Sequence, residues 1–226
     1  MPSIVYLINK GTVNGYSGQN QYFLSENNQI PVIFETAIFG IILIGIFILY
    51  FKLIKNSDKF KNFKEILIST IIIGFMFLIC LPNTSTDVVY YMGTGRILSE
   101  YDANPYYQTI EEIDNNVDDE ILSNVHVWRD TKVVYGPLWV IITFLLNKLS
   151  FGSITVLLYI FKIVTLLLHL GCCALIYKLT KRKKFAVIYA FNPLMLFESL
   201  VNCHNDIYMI FFALLAIYFV KNEKNI

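Results

Sequence analysis

The feature that most constrains this chain is a series of long apolar stretches separated by polar ones. They cover residues 31–51, 66–81, 153–179, 185–200 and 207–220. A helix needs about 20 apolar residues to cross a bilayer, so these stretches predict about five full spans. Hydrophobic residues make up 56% of the chain and charged residues only 15%, which is not the composition of an ordinary soluble domain. We therefore predict an all-α, polytopic transmembrane helical bundle.

Clusters of lysine and arginine between these stretches predict which ends face the cytoplasm. They lie at residues 52–65, 178–184 and 221–224. Short loops rich in lysine and arginine stay on the cytoplasmic side. The second span then runs outwards, and residues 83–135 form a first large external loop carrying short amphipathic helices. On this topology residues 1–226 form one transmembrane module surrounded by the lipid bilayer.

A further apolar stretch, residues 136–149, has only about 14 residues, which is short for a crossing. Two full crossings after the external loop would place the basic residues 181–184 outside. These basic residues stay on the cytoplasmic side if residues 136–149 re-enter the membrane or lie along its surface. Partial insertion is tolerated where protein or a cavity covers it. We favour this partial helix over a full crossing.

Charge and cysteine content weigh against two further kinds of site. The formal net charge is +1 and the lysines flank the predicted spans, so nucleic acid is not an expected partner. Cys80, Cys172, Cys173 and Cys203 lie within or at the edge of apolar stretches, without metal-ligand spacing. Buried cysteine acting as a small apolar side chain is the better interpretation.

The external loop begins with Asp87–Tyr101, a segment with the pattern of an amphipathic helix. Thr86 or Asp87 is a suitable N-cap. We expect Val88, Met92, Ile97 and Leu98 to form one apolar face that lies on the membrane. After a break at an Asn-Pro pair, a second short helix is expected over residues 110–122.

Two interpretations of Asp87 are open at this point. It can cap the helix that it begins, an interaction worth about 1 kcal/mol that needs no function. It can also act as a general base, or as a metal ligand, toward a lipid-borne substrate. A carboxylate at a low-dielectric boundary can have its pKa raised towards the range that is useful for that chemistry.

A second candidate site is the triplet His204-Asn205-Asp206, which lies between two apolar stretches. Three adjacent polar residues are costly at a membrane unless they line water, protein or a site. Glu198, just inside the preceding apolar stretch, favours a site. The alternative is a short external turn in which Asp206 caps the last helix.

Arg96 and three aromatic residues complete the candidates that the pattern provides. Arg96 suits a phosphate or diphosphate because its guanidinium donates two hydrogen bonds to one anion. Pairing with the many nearby acidic residues, or with lipid headgroups, is its more ordinary role. Trp128, Tyr135 and Trp139 fall at positions typical of an interfacial aromatic belt.

Several short motifs follow one another here in an order that is typical of one group of membrane enzymes. They are Asp87, Tyr90-Tyr91, Gly95-Arg96, Asn104-Pro105-Tyr106, Tyr135-Gly136-Pro137-Leu138, Asn192-Pro193-Leu194 and His204-Asn205-Asp206. Over residues 70–220 the chain resembles the GT-C superfamily of membrane glycosyltransferases. Within it, the resemblance is to the N-terminal portion of bacterial polyprenol-phosphomannose-dependent mannosyltransferases.

The resemblance implies a plasma-membrane enzyme that moves mannose or another hexose from a polyprenyl-phosphate donor to a glycan or lipid acceptor on the external face. Asp87 takes the position of the family's catalytic carboxylate. The predicted substrate-binding residues are Tyr90, Arg96, Tyr135, Glu198, His204, Asn205 and Asp206. Asp206 is also the candidate metal ligand. Some relatives use a divalent cation and others do not, so the need for a cation stays open.

Members of that family have more spans than this chain provides. We therefore expect residues 1–226 to be incomplete at the C-terminus, as a truncated reading frame, a reduced accessory homologue, or one half of an enzyme completed by a second polypeptide. The alternative function is a non-catalytic accessory protein, or a lipid or ion carrier. A carrier would more naturally place polar residues in mid-span, whereas the polar clusters here gather at helix ends.

Overall fold

The computed structural model describes residues 29–82 and 84–223, with side chains from Ala37 onwards, and no strand occurs within them. Asn83, the first residue of the predicted external loop, lies outside the described residues. The elements are α1 (Gln29–Lys55), a 3-10 turn (Ser57–Lys59), α2 (Phe63–Ile79), α3 (Asp87–Tyr101), α4 (Ile110–Asp114), α5 (Glu120–Ser123), α6 (Pro137–Leu149), α7 (Ile154–Thr180), α8 (Lys183–Ala190), α9 (Pro193–Leu196), a π-helical turn (Phe197–Val201) and α10 (Asp206–Glu223). The predicted all-α class is confirmed for this part of the chain.

Two helices of the described chain are long and apolar enough to cross a membrane, Ala37–Lys55 within α1 and the whole of α7. A third span results if α8 and Pro193–Val201, which are bent by 51° at their junction, count as one. These helices are those of a membrane protein. The predicted total of five spans stays a prediction, because α2 has 17 residues and α10 includes charged residues near both of its ends.

The chain divides into two compact units, which are described separately. The loop unit comprises the described residues 81–82 and 84–164, and holds α3 to α6 with the start of α7. The span unit comprises the described residues 29–80 and 165–223, and holds α1, α2, the rest of α7, and α8 to α10. The boundary falls within α7, between Val164 and Thr165.

In the loop unit, α3 packs chiefly against α6. Val88 is 0% exposed, and Met92 and Ile97 are each 1% exposed. The expectation that this apolar face lies on the membrane is therefore wrong. Its partner is another helix, since an apolar periodicity indicates a buried face without indicating what covers it. A 13-residue helix such as α6 is only about 20 Å long, shorter than the hydrocarbon core.

The single helix predicted over residues 110–122 is also wrong, because the structure has two short helices there. Thr109 caps α4 in a capping box, in which its side chain accepts from the Glu112 N–H and the Glu112 carboxylate accepts from the Thr109 N–H. Asp119 caps α5 by accepting from the N–H groups of Ile121 and Leu122. Two complete N-caps ten residues apart specify two helix starts.

In the span unit, the three basic segments meet at one end. The Lys183 ammonium donates to the backbone carbonyl of Phe60, in the loop between α1 and α2. The Lys221 ammonium donates to the carbonyl of Leu179, near the end of α7, at 2.8 Å. The start of α2, the end of α7, the start of α8 and the end of α10 therefore share this end of the unit.

The core of the span unit joins α1 and α2 to α7 and α8. The Tyr50 hydroxyl of α1 donates to the carbonyl of Ile188 in α8 at 2.8 Å. Gly74 of α2 lies so close to Leu166 of α7 that an added methyl group would displace the leucine side chain. Close helix approach at small residues is typical of packing in membranes.

Candidate functional site

Asp87 is the first residue of α3, directly after its N-cap, Thr86. The Thr86 side chain makes no capping hydrogen bond in the described structure, whereas its carbonyl accepts from the Val89 N–H at 2.9 Å. The Asp87 N–H donates to the Ser85 hydroxyl at 3.1 Å. A carboxylate at this position is stabilised by the positive end of the helix dipole. The N-cap position thus belongs to Thr86, and α3 fixes the backbone of Asp87.

A cavity of about 410 Å³ lies next to Asp87 within the loop unit. Its lining residues are Asp87, Tyr90, Trp128, Thr131, Lys132, Val134 and Tyr135. The volume is within the range of small-molecule sites, which combine apolar or aromatic walls with a few converging polar groups. Three residues predicted from the sequence, Asp87, Tyr90 and Tyr135, therefore share one cavity.

The wall formed by residues 128–135 is held by hydrogen bonds to the segment that follows α3. The Val133 N–H donates to the Pro105 carbonyl at 2.9 Å. The Tyr106 hydroxyl donates to the Tyr135 carbonyl at 2.8 Å. The Asn-Pro-Tyr motif of the sequence is thus a support for the cavity wall rather than part of its lining.

An aromatic cluster lies beside the cavity. The Tyr91 ring makes edge contacts with Trp139, at a centroid distance of 4.9 Å, and with Tyr135, at 5.5 Å. Trp139 is only 7% exposed. Its predicted position in an interfacial belt is therefore wrong, because α6 turns it into the protein.

Tyr90 is the buried phenol of the cavity. Burial raises its pKa above the ordinary value of 10.0, and hydrogen bonds with the side chains of Thr131 and Thr94 only partly offset that effect. Tyr90 is therefore neutral at physiological pH. It can donate or accept a hydrogen bond in this cavity, but it is not a base.

Arg96 lies nine residues after Asp87 in α3, about 13 Å further along the helix. Its Nε donates to Asp119 Oδ2 at 2.8 Å, and Nη1 lies 3.3 Å from Glu100 Oε1. Arg96 therefore pairs with nearby acidic residues, which is the more ordinary of the roles considered for it. Its predicted contact with phosphate stays a prediction.

Asp119 receives Arg96 in a buried network that the sequence did not reveal. Burial alone would raise the pKa of Asp119, but hydrogen bonds from Arg96, Tyr101 and the Leu122 N–H outweigh burial and lower it. Burial and the hydrogen bond to the Asp119 carboxylate raise the pKa of Tyr101 to about 12. This network joins α3 to α5.

In the span unit, the predicted polar cluster forms around Glu198. Glu198 Oε2 lies 3.2 Å from His204 Nε2 and accepts a hydrogen bond from Asn202 Nδ2 at 3.1 Å. Two residues after the π-helical turn, Cys203 adopts the left-handed region at φ +57°, and the His204 N–H donates to the Glu198 carbonyl at 3.0 Å. The break in the helix therefore folds His204 back onto Glu198.

Asn205 and Asp206 continue this cluster into α10. The Asn205 carbonyl accepts from the Tyr208 N–H at 3.0 Å, and Asp206 is the exposed first residue of the helix. Within residues 29–82 and 84–223 no three His, Cys, Asp or Glu side chains are placed to hold a metal ion. The metal contact of Asp206 stays a prediction, as does a cavity shared with Asp87, which belongs to the other unit.

Sequence reasoning also missed a polar face inside α7. Lys162, Thr165 and His169 are each 0% exposed. Their spacing of three and four residues places them on one side of the helix. A lysine within a 27-residue apolar segment was the available signal, since ionisable residues inside spans are expensive and mark functional sites.

The helices and the cavity together define a helical membrane protein with a carboxylate, a lysine and phenols around a pocket of its loop unit. The sequence profile of the MptA_B family, described as alpha-(1->6)-mannopyranosyltransferase, N-terminal domain, matches residues 9–226. The chain belongs to this family. The resemblance to the N-terminal portion of a GT-C mannosyltransferase is thereby confirmed, and membership supports a glycosyltransferase role. No curated protein and no solved structure matches the chain.

Proposed function

We propose that the protein transfers mannose, or a related hexose, from a polyprenyl-phosphate donor to a glycan or lipid acceptor at the external membrane face. Asp87 is the catalytic carboxylate of this proposal. The observation that carries it is the position of Asp87 at the start of α3, beside a 410 Å³ cavity that Tyr90 and Tyr135 also line. Family membership supplies the type of sugar.

The reaction requires a base beside the acceptor hydroxyl. Asp87 accepts the hydroxyl proton as the acceptor oxygen forms a bond to the anomeric carbon. The bond from that carbon to the donor phosphate oxygen breaks with inversion, and the polyprenyl phosphate leaves with the electron pair. Tyr90 and Tyr135 orient the sugar hydroxyls, and Lys132 offers a positive charge to the leaving phosphate. No step of this proposal requires a metal ion.

The charge distribution of the span unit supports the external face. Its three basic segments share one end, which the positive-inside rule assigns to the cytoplasm. The chain enters the loop unit from the opposite end of α2, and α10 begins at the end opposite to Lys221. Both Asp87 and Asp206 are then assigned to the external face. The proposal gives α6, which has 13 residues, no full crossing, so that the basic end of α7 stays in the cytoplasm.

The experiment compares Asp87→Asn with Asp118→Asn in membranes that contain the chain. Asp118 is exposed, belongs to the same unit and is outside the cavity lining. Transfer of radiolabelled mannose from polyprenyl-phosphate mannose to a mannoside should fall by roughly 10²–10⁴-fold in Asp87→Asn, the contribution of a general base. Asp118→Asn should keep full transfer, and both variants should insert normally.

The assay also needs a second set of samples, because the matched family is described as an N-terminal domain. The same variants are assayed with the neighbouring reading frame co-expressed, so that a second polypeptide can complete the enzyme. Retained transfer by Asp87→Asn in the arm where the parent chain is active would refute the assignment.

A carrier function is the second candidate, and the buried polar face of α7 is the observation that favours it. Lys162 is fully buried inside an apolar span, where carriers place their binding residues. Lys162→Met should abolish lipid or ion flux in proteoliposomes if this function is correct. Flux without any sugar transfer would favour the carrier over the glycosyltransferase.

A further inference from the structure

We propose that Trp128 is the sugar-binding platform of the loop-unit cavity, on which the ring of the acceptor mannoside stacks. The inference rests on the proposed function and names a subsite within it. Trp128 is 58% exposed, although it lines the same cavity as Asp87. A large apolar side chain that remains exposed at a pocket gains little from folding and is available to a ligand.

The backbone of Trp128 adds an independent observation. Its φ is +63°, in the left-handed region that bulky side chains rarely adopt. The Trp128 carbonyl accepts from both the N–H and the hydroxyl of Thr131, at 3.1 and 2.7 Å, which holds this conformation. Unfavourable backbone conformations of this kind cluster at ligand-binding sites. The turn is therefore maintained to present an exposed indole ring to the cavity.

The chemistry of the cavity fits a pyranose. One face of a hexose ring is made of C–H groups, which pack against the electron-rich face of an indole. The hydroxyls at the ring edge need hydrogen-bond partners, and Asp87, Tyr90, Thr131 and Tyr135 provide them around the same space. A carboxylate that takes the proton of the acceptor must touch the acceptor. The inference assigns the ring that stacks on Trp128 to the acceptor, because Asp87, which takes the acceptor proton in the proposed reaction, lines the same cavity.

The chain is convenient for a direct binding test because it contains only two tryptophans. Trp139 is 7% exposed, so Trp139→Phe leaves Trp128 as the fluorophore of the purified full chain. Methyl α-mannopyranoside and an α-1,6-linked mannobiose should change its emission saturably and protect it from acrylamide quenching. If Trp139→Phe fails to fold, the difference between the parent and Trp128→Phe spectra reports the same signal.

The binding test separates this inference from the proposed reaction. Asp87→Asn should lose transfer yet keep the mannoside-dependent change in Trp128 emission. Loss of transfer with retained binding supports both Asp87 as the base and Trp128 as the platform, whereas mannoside binding by a chain that shows no transfer in any variant supports the platform alone. The platform is overturned if mannosides leave the emission unchanged, or if phospholipid vesicles without mannoside produce the whole change, which would identify Trp128 as a membrane anchor.

A matched kinetic control is available in Phe151. It is 93% exposed, has φ +51°, belongs to the loop unit and is outside the cavity lining. Trp128→Ala should raise the KM for the acceptor roughly tenfold, with a smaller change in kcat, as expected for loss of an aromatic contact. Phe151→Ala, at a residue with the same left-handed backbone conformation, should leave the KM for the acceptor unchanged. Equal effects of the two variants would contradict the platform.

Trp128→Gly provides the complementary measurement. Glycine adopts the left-handed conformation without steric cost, so this variant should melt at the same temperature as the parent or higher. Its KM for the acceptor should nevertheless rise as in Trp128→Ala. A melting temperature that falls together with affinity would show that the indole serves packing instead of binding.

Discussion

Replacing Asp119 by alanine should destabilise the loop unit more than any other single acidic substitution in it. The side chain of Asp119 is 3% exposed. Its Oδ1 accepts from the N–H groups of Ile121 and Leu122 at 2.9 and 3.1 Å. Its Oδ2 accepts from Arg96 Nε and from the Tyr101 hydroxyl, each at 2.8 Å. One carboxylate thus caps α5 and joins α5 to α3.

The expected cost follows from these contacts. Loss of an N-cap costs about 1 kcal/mol. Removing one partner of a buried ion pair costs about 3–5 kcal/mol. We reduce that second value to about 2–3 kcal/mol, because the Arg96 side chain is 15% exposed and keeps Glu100 at 3.3 Å. Asp119→Ala should therefore lower the free energy of unfolding of the loop unit by about 3–4 kcal/mol.

Two comparison variants test the expected cost of Asp119→Ala. Asp119→Asn keeps the Oδ1 acceptor of the cap but places a donor amide where Oδ2 accepts from Arg96 and Tyr101, so its cost should be about 1 kcal/mol smaller than that of Asp119→Ala. Asp118→Ala, at the exposed neighbouring position, should lie within about 0.5 kcal/mol of the parent. Thermal unfolding and pulse proteolysis in detergent measure all three. An Asp119→Ala protein as stable as Asp118→Ala would show that the Asp119 carboxylate does not hold α5 to α3.

Two further predictions concern the same unit. The folded pKa of Asp119 lies below its ordinary value of 3.8, so its stabilising contribution should be complete above that pH and lost as the pH falls through the folded pKa. Acid unfolding monitored by intrinsic fluorescence checks this, and Asp119→Asn should remove that part of the acid dependence. Gly95→Ala should cost about 1–3 kcal/mol by overpacking, because the new methyl group would sit 2.6 Å from the Thr143 carbonyl carbon of α6. Gly136→Ala, with open space around it and φ −65°, is the matched control in the same thermal assay and should be nearly neutral.

Local signals were sufficient to predict α3. Thr86 and Asp87 provide its start, an apolar period of 3.6 runs through it, and the Asn104-Pro105 pair follows its end. Its bounds, Asp87–Tyr101, are confirmed. The partner of its apolar face was not predictable, because burial against lipid and burial against α6 impose the same periodicity.

Only the part of the candidate site that lies within one helix was predictable from the sequence. Asp87 and Tyr90 are one helical turn apart, so one helix face presents both. Thr131 and Lys132 reach the cavity through non-local hydrogen bonds, such as that from Val133 to Pro105, which no local pattern encodes.

Glu198 and His204 show the same limit in the span unit. A continuous helix would place them about a turn and a half apart. The π-helical turn and the left-handed Cys203 instead bring their side chains within 3.2 Å. Such a backbone reversal depends on one residue's φ, and cysteine is not a residue from which a left-handed conformation is expected.

In the proposed function, the cavity beside Asp87 is an active site that opens to the outside of the membrane. Val134→Cys tests it directly, because Val134 lines the cavity and is 85% exposed. A Cys80→Ser background removes the exposed cysteine among the four, since the other three are buried. A membrane-impermeant maleimide should label intact cells, labelling should stop sugar transfer, and an acceptor mannoside should slow labelling. Labelling only after permeabilisation, or complete labelling with unchanged transfer, would contradict the proposed function.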